Sequence, residues 1–255
     1  MAKWRGFRCR GGKTAVVVAA RVRESYRQSQ PFFLRMAAGM ALFIVLGFGQ
    51  FAARGMVDYT RVPVWFHLHG AAMVLWLGLL VTQTALAGRP NLLLHRQLGW
   101  IGAVLASAVF VLALRVVVAA VGGGMVPPFF TPAFLLALAT IDALAFGSLV
   151  AAAIALRRRS DWHAPLLLGS TAILMEPALG RVLPMPLLGA DGGEWLAMVF
   201  QLIPIALLLR HDRKTFGAVH PASLVCGGVV VGSHVLVKLA SLNPAVIALA
   251  RSLGG

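Results

Sequence analysis

Apolar stretches long enough to cross a membrane recur along this chain, with almost no charged residue inside them. The chain has 255 residues, of which 59% are hydrophobic and 12% are charged, whereas a soluble domain is roughly half apolar and a quarter charged. A helix of about 20 apolar residues spans the hydrocarbon core of a bilayer. The pattern therefore excludes a soluble fold and predicts an all-α, polytopic membrane helical bundle.

Seven transmembrane helices are predicted, and Gly and Pro residues lie in several of the loops that separate them. The sixth is the shortest and contains Pro204. The predicted ranges are 32–53, 63–87, 98–121, 131–157, 163–188, 194–210 and 222–242. Two units are therefore expected: a basic cytoplasmic N-terminal arm over residues 1–31 and a seven-helix transmembrane domain over residues 32–255.

The distribution of the 23 Lys and Arg residues predicts the orientation of these helices. Most lie in the N-terminal arm or in loops on the same side, while the opposite side has Arg54, Arg61 and Arg251. Because cytoplasmic loops are enriched in Lys and Arg, the N-terminus is predicted to be cytoplasmic and the C-terminus periplasmic. The net charge of +15 then indicates contact with a lipid bilayer that has anionic headgroups, and no nucleic-acid partner is expected.

Two further patterns concern packing. Cys9 lies in the basic arm and Cys226 in an apolar run, so both are expected to be free thiols rather than a disulfide. Gly228 and Gly232 have the spacing at which small residues allow membrane helices to approach closely. This spacing predicts a close helix contact on the seventh span.

Ionisable residues inside the predicted spans are the main functional signal. An ionised side chain at mid-bilayer costs at least about 3 kcal/mol, so these residues are expected to face the bundle interior. Counting about 1.5 Å per residue places Asp142, Glu176 and His234 at one depth, with Arg115 and Arg181 nearer the outer side. This predicted intramembrane polar cluster is interpreted as an interhelical lock, a proton-accepting pocket or a metal site of Asp, Glu and His.

Pro177 distinguishes Glu176 from Asp142. A proline inside a span frees a backbone carbonyl, and broken helices in membranes line cavities or sites. Arg181 or Arg115 is the expected ionic partner of Glu176. Glu176 is therefore expected to contribute more than Asp142 to folding and function.

The motif HLHG at 67–70 places two histidines at the outer start of the second span. Residues two positions apart on a helix point about 200° apart, so only one of His67 and His69 is expected to face the interior. That histidine is a candidate ligand for one haem or one transition-metal ion, with His234 as its partner across the bundle. The alternative is an interfacial histidine bonded to a backbone group.

Four more histidines lie at the inner ends of the predicted spans. Grouped at one depth, they predict either a metal site or a pH-sensitive gate. Contacts with lipid headgroups and helix caps are the alternative interpretation. These residues are His95, His163, His211 and His220.

Several phrases occur together in this chain: HLHG at 67–70, LHRQLGW at 94–100, DWHAPLLLGSTAILMEPALGR at 161–181 and HDRKTFGAVHP at 211–221. Together they resemble a family of uncharacterised bacterial inner-membrane proteins with about seven helices, a loop of the form LHRxLG, and a fifth helix that starts HxRLM and ends PAxxR. Here the HxRLM element reads HAPLL from His163, so its Arg and Met are missing. The resemblance implies a multi-pass protein of the bacterial inner (plasma) membrane and leaves its activity open.

Three functions are compatible with these residues. The first is a redox or metal-handling membrane protein that binds one haem or metal ion through His67 or His69 with His234. The second is a proton-coupled transporter or channel that uses Asp142 and Glu176. The third is a non-catalytic accessory or assembly subunit with a partner membrane subunit. Phosphate-loop, nucleophile-elbow and HExxH patterns are absent from the sequence, which disfavours a hydrolase.

Overall fold

The computed structural model describes residues 12–89 and 92–254, with side chains described from residue 29 onward. Cys9 and the first basic residues of the arm lie outside the described residues. The all-α prediction is confirmed for the described part of the chain. Its helices are α1 (Gly12–Ala53), α2 (Val64–Ala87), α3 (Leu93–Gly122), α4 (Pro132–Ala155), α5 (Ser160–Ile173), α6 (Glu176–Val182), α7 (Met185–Phe216), α8 (Pro221–Ser241) and α9 (Pro244–Leu253).

Within the described ranges, six helices are long and apolar enough to cross a membrane. They are the Ser29–Ala53 part of α1 together with α2, α3, α4, α7 and α8. Large apolar side chains cover their outward faces, and Leu75, Val104 and Leu239 are each more than 60% exposed. A contiguous apolar exterior of this kind is rare on a soluble monomer. The chain is therefore a multi-pass membrane protein.

The predicted fifth span, 163–188, is wrong as one continuous helix. It is divided into α5, which ends at Ile173, and α6, which begins at Glu176. Pro177 explains the break, because its ring nitrogen has no hydrogen to donate to the Ile173 carbonyl four residues earlier. The backbone tightens between the two helices, where the Met175 N–H donates to the Ala172 carbonyl at 3.2 Å.

Together, α5 and α6 still reach from one end of the bundle to the other. At one end, Asp161 on α5 lies 3.3 Å from His220 at the start of α8. At the opposite end, the carbonyl of Arg181 on α6 accepts a hydrogen bond from Gln50, near the end of α1. The broken pair therefore contacts other helices near both of its ends.

Three other elements differ from the predicted ranges. The sixth predicted span, 194–210, is part of the longer α7, which contains Pro204 and bends at Gly189, where a φ of +66° favours glycine. α1 continues through the boundary expected at residues 31 and 32, with Pro31 inside it. The C-terminal segment, which is not predicted to be helical, forms α9.

α4 lies at the centre of the bundle. It packs against α3, α5, α8 and α9, and 56% of its most apolar stretch is buried, compared with 22% to 39% for the other helices of spanning length. Asp142 is near the middle of this helix. Its position in the sequence therefore places a carboxyl group in the most enclosed part of the fold.

Gly169 on α5 lies directly against Cys226 on α8. A Cβ atom at position 169 would be 2.8 Å from the Cys226 Cβ, which is closer than real Cβ contacts. The buried Cys226 thiol is free, as predicted, and its Sγ donates to the Pro165 carbonyl at 3.3 Å. In contrast, a Cβ at Gly228 or Gly232 would meet no atom within 4 Å. The close contact predicted at those two glycines is therefore wrong, and α8 approaches α5 at Cys226 instead.

We expect Gly169→Ala to destabilise the protein, because the added methyl group overlaps Cys226 and forces α5 away from α8. Overpacking of this kind costs about 1 to 3 kcal/mol. Thermal unfolding of the purified protein measures the change, with Gly228→Ala as the matched control. Cys226→Ala should restore part of the loss, because it removes Sγ but keeps Cβ. An unfolding temperature equal to that of Gly228→Ala would contradict the described packing.

Candidate functional site

His234 on α8 is the centre of a buried hydrogen-bonded network. Its side chain is 1% exposed, and both ring nitrogens have partners on α7. Nδ1 lies 2.7 Å from Glu194 Oε1, and Nε2 lies 2.7 Å from Gln201 Oε1. Glu194 and Gln201 are also buried. The network joins α7 to α8 inside the bundle.

The helical repeat explains why Glu194 and Gln201 reach the same imidazole. Seven residues correspond to nearly two turns, so the two side chains lie on one face of α7, about 10 Å apart along its axis. The Glu194 side chain, the His234 ring and the Gln201 side chain bridge this distance. Sequence spacing and a neighbouring helix are therefore sufficient to align the three groups.

Gln201 also satisfies the broken backbone between α5 and α6. Its Nε2 donates to the Ile173 carbonyl at 3.2 Å, which is the carbonyl that Pro177 leaves without a backbone donor. Because a carbonyl can only accept, Ile173 sets the orientation of the Gln201 amide, with Nε2 toward the carbonyl and Oε1 toward His234. Oε1 is also an acceptor, so His234 Nε2 must carry a hydrogen.

One proton then remains to be shared between His234 Nδ1 and Glu194 Oε1. With the proton on Nδ1, the pair is an imidazolium and a carboxylate; with the proton on Oε1, it is a neutral imidazole and a carboxylic acid. Both arrangements have no net charge, and both are compatible with the 2.7 Å separation. The pair can therefore hold a proton on either atom without changing the charge of the buried site.

Asp142 and Glu176 lie in the same electrostatic neighbourhood. When ionised, the carboxyl group of Asp142 is repelled by those of Glu176 and Glu194, and Glu176 is also repelled by Glu194. The Oδ2 atom of Asp142 is buried and has no hydrogen-bond partner, while Glu176 is 5% exposed in the first turn of α6. The structure thus brings three carboxyl groups together, and one of them contacts His234.

The two arginines of the predicted cluster have other contacts. Arg115 lies over the ring of Trp65, 5.0 Å from its centroid. Arg181 donates to the Pro177 carbonyl at 2.7 Å and lies over the Phe48 ring at 4.0 Å. It interacts electrostatically with Glu176, but no ion pair within 4 Å joins these two described residues. The direct pair expected for Glu176 is therefore a longer-range interaction.

The residues predicted to hold a haem or a metal ion do not form such a site. His67 is exposed and His69 is half-buried; their helix packs on α1 and α3, whereas α8 packs mainly on α4, α5 and α7. Both ring nitrogens of His234 already have partners. Among the residues that the structure describes, no group of three or more His, Cys, Asp or Glu is arranged to hold a metal ion. These residues therefore do not fit the predicted cofactor.

The four histidines near the inner helix ends link separate elements rather than forming one site. Each uses a ring nitrogen to contact a group on another helix. The contacts are His95 to the Gln83 carbonyl at 3.2 Å, His163 to the Ala153 carbonyl at 2.8 Å, His211 to Ser29 Oγ at 3.0 Å and His220 to Asp161 at 3.3 Å. These links hold the helix ends in place.

Glu194 and Gln201 are absent from the predicted cluster. The predicted sixth span begins at residue 194, which places Glu194 at the membrane interface, and Gln201 is uncharged. The seven-residue spacing of two polar side chains in an apolar helix is the signal that identifies them. In the structure α7 begins at Met185, so Glu194 lies inside the helix, where it is buried.

Comparisons with protein-family models, with curated proteins and with solved structures found no match to this chain. The family resemblance of the four sequence segments therefore stays a prediction.

Gln201→Leu should destabilise the protein, because it leaves both the Ile173 carbonyl and the His234 Nε2–H without a partner. A buried polar group without a hydrogen bond costs about 1 to 3 kcal/mol. Pro177→Ala supplies a backbone N–H for that carbonyl, so the double variant should lose less stability than the two single changes predict. Thermal unfolding of the four proteins in a double-mutant cycle measures the coupling. Strictly additive effects would contradict the connection between Pro177 and Gln201.

His220 caps α8 and provides a separate test of the inner helix ends. Its Nδ1 accepts the Ala222 N–H at 3.2 Å, so protonation of Nδ1 would break the cap. Burial lowers the pKa of His220 below its ordinary value of 6.5, although the Asp161 and Asp212 carboxylates act in the opposite direction. The folded state therefore binds this proton less readily than the unfolded state, and stability falls as the pH falls below about 6.5.

We expect His220→Asn to reduce this acid sensitivity while keeping the cap, because Asn also accepts the N–H at a helix start but does not titrate. His220→Ala should lose about 1 kcal/mol at neutral pH, since the cap is removed. Unfolding temperatures between pH 5 and pH 8 measure both effects. Equal pH dependence in the wild type and His220→Asn would contradict the assigned role.

Proposed function

We propose that this protein is a proton-coupled transporter of the bacterial inner membrane and that the Glu194–His234 pair is its proton site. The observation that carries this proposal is the 2.7 Å distance between His234 Nδ1 and Glu194 Oε1, a hydrogen bond that needs one proton on either atom. The Ile173 carbonyl and Gln201 hold the other ring nitrogen in its protonated form. Only the Nδ1 side is therefore free to exchange a proton.

Asp142 and Glu176 provide further places for protons close to this pair. One imidazolium balances only one carboxylate, and each additional ionised group at mid-bilayer costs at least about 3 kcal/mol. Protonation of the remaining carboxyl groups avoids that cost. The unpartnered Oδ2 atom of Asp142 also has capacity for a hydrogen bond to water, by which a proton can arrive.

An interhelical lock is the alternative interpretation of the same residues. A lock needs hydrogen bonds between α7 and α8 but does not need a mobile proton. Glu194→Gln separates the two functions, because the glutamine amide can donate to His234 Nδ1 and preserve the link. The same change removes the carboxyl group that exchanges the proton.

In proteoliposomes, we expect Glu194→Gln to fold normally and to move protons at least about tenfold more slowly than the wild type, as in the loss of a general acid–base group. A pH-sensitive dye trapped inside the vesicles measures proton entry under an imposed pH gradient. Asp58→Asn is the matched control, because Asp58 is exposed and pairs with Arg61 in the loop after α1. Wild-type proton entry in Glu194→Gln would show that the network is only a lock.

The proposed topology has seven crossings, with α5 and α6 together forming the fifth. Basic and aromatic side chains support a cytoplasmic side at the end where α5 begins. Arg157 lies 5.6 Å from the centroid of Trp100, and Arg159 lies 5.5 Å from that of Trp162. Arg210, Arg213 and Lys214 line a groove at the end of α7, where anionic headgroups fit the positive charge.

A reporter fused after Gly255 should therefore be periplasmic, whereas one inserted in the 157–159 loop should be cytoplasmic. The expected result follows from an odd number of crossings and from the side enriched in Lys and Arg. Paired reporters that are active only in the cytoplasm or only in the periplasm measure both positions. A cytoplasmic C-terminus would mean that α5 and α6 do not cross together.

A further inference from the structure

A cavity of about 660 Å³ lies at the end of the bundle where α8 ends. Segments of α4, α7, α8 and α9 contribute to its wall, and its volume is within the usual range for small-molecule sites. We call it the α9 cavity. Residues that define it are Phe134, Leu188, Asp191, Lys238, Ile247 and Arg251.

The α9 cavity combines apolar walls with an excess of positive charge. Phe134, Leu188 and Ile247 supply apolar surface, whereas Lys238 and Arg251 supply cations. Asp191 is the one carboxylate of its described lining, and its Oδ1 lies 2.6 Å from Lys238 Nζ. With Lys238 neutralised in this way, Arg251 gives the cavity a net positive charge. This arrangement matches a ligand with an apolar body and one anionic group.

The cavity is also adjacent to the proposed proton site. Lys238 follows His234 by four residues on α8, and Asp191 precedes Glu194 by three residues on α7. Residues three or four apart lie on one face of a helix, about one turn from each other. The Asp191–Lys238 ion pair therefore lies about one helical turn from the Glu194–His234 pair, between the same two helices.

Gly189 places a bend of α7 in the wall of the cavity. Gly189 lines the α9 cavity and has a φ of +66°, and α7 bends at this residue. Leu188 comes directly before this bend, and Asp191 follows it by two residues; both line the cavity. A ligand in the cavity would therefore contact the segment of α7 that leads to Glu194.

We propose that the α9 cavity binds a small amphipathic carboxylate and that this acid is the solute transported with the proton of the Glu194–His234 pair. The inference rests on the proposed function. A carboxylate and one proton together have no net charge, so moving them together avoids the cost of carrying an ion through the hydrocarbon core. The apolar walls accept the body of the acid, and Arg251 binds its carboxylate.

Octanoate binding to the full chain in phosphatidylcholine nanodiscs tests the site, with isothermal calorimetry as the readout. Octanol, which has the same chain without the charge, should bind about tenfold more weakly or not at all. Arg251→Gln should weaken octanoate binding about tenfold or more, and Arg251→Lys should retain most of it. Arg54→Gln is the control, because Arg54 is exposed and outside the cavity lining.

Equal octanoate affinity in the wild type and Arg251→Gln would overturn the inference, and so would equal affinities for octanol and octanoate. Phosphatidylglycerol in the nanodiscs distinguishes a lipid headgroup from a free acid. Octanoate should still bind in its presence, whereas loss of octanoate binding would assign the cavity to a phospholipid.

The Glu194→Gln variant separates this inference from the proposed function. It should bind octanoate as the wild type does but should not couple it to proton entry. If Glu194→Gln still moves protons, the proposed function fails while the binding site stands. If Arg251→Gln binds octanoate normally but Glu194→Gln stops proton entry, the binding site fails while the proposed function stands.

Discussion

The carbonyl of Ile173 is a strong acceptor in an apolar interior, and Pro177 deprives it of its backbone donor. An unpaired polar group in such surroundings is costly, and Gln201 on α7 supplies the missing hydrogen bond. This one contact orients the Gln201 amide, which in turn fixes the hydrogen on His234 Nε2. A proline in α6 thereby determines the protonation pattern of a histidine on α8.

The same contacts give the two nitrogens of the His234 ring different roles. Nε2 donates a hydrogen bond to Gln201 and links α8 to α7. Nδ1 is hydrogen-bonded to Glu194, and the proton of that bond can lie on either atom. The neighbouring carboxyl groups of Asp142 and Glu176 lie close enough to interact with Glu194. In the proposed function, the bond to Gln201 holds Nε2 in place, and the proton is exchanged between Nδ1 and Glu194.

The sequence predicts most of the fold and part of the site, and physical reasons explain the difference. Long apolar runs with few charged residues identify α2, α3, α4 and α8 closely, because span length follows directly from hydropathy. Pro177 in the sequence also predicts a break that frees the Ile173 carbonyl. The donor to that carbonyl, Gln201, lies 28 positions further along the chain, on α7. Contacts between helices of this kind depend on how the helices rotate about their axes, which hydropathy does not determine.

Burial of a charged residue is easier to predict than its partner. The sequence predicts Asp142, Glu176 and His234 inside the bundle, and the structure buries Glu176, His234 and the Oδ2 atom of the half-buried Asp142. The arginines were expected with them, but long side chains reach aromatic rings and carbonyls instead, as Arg115 does at Trp65 and Arg181 at Phe48. Gln201 carries no charge, so a search for ionisable residues passes over the side chain that organises the site.

Solid-state NMR of the protein labelled with 15N-histidine in lipid bilayers tests the central claim most directly. The His234 resonances are identified among the seven histidines by their absence from His234→Gln. The hydrogen bond to Gln201 requires that Nε2 carries a hydrogen, while the Nδ1 signal reports a proton shared with Glu194. A His234 ring protonated on Nδ1 alone, with a bare Nε2, would contradict the account.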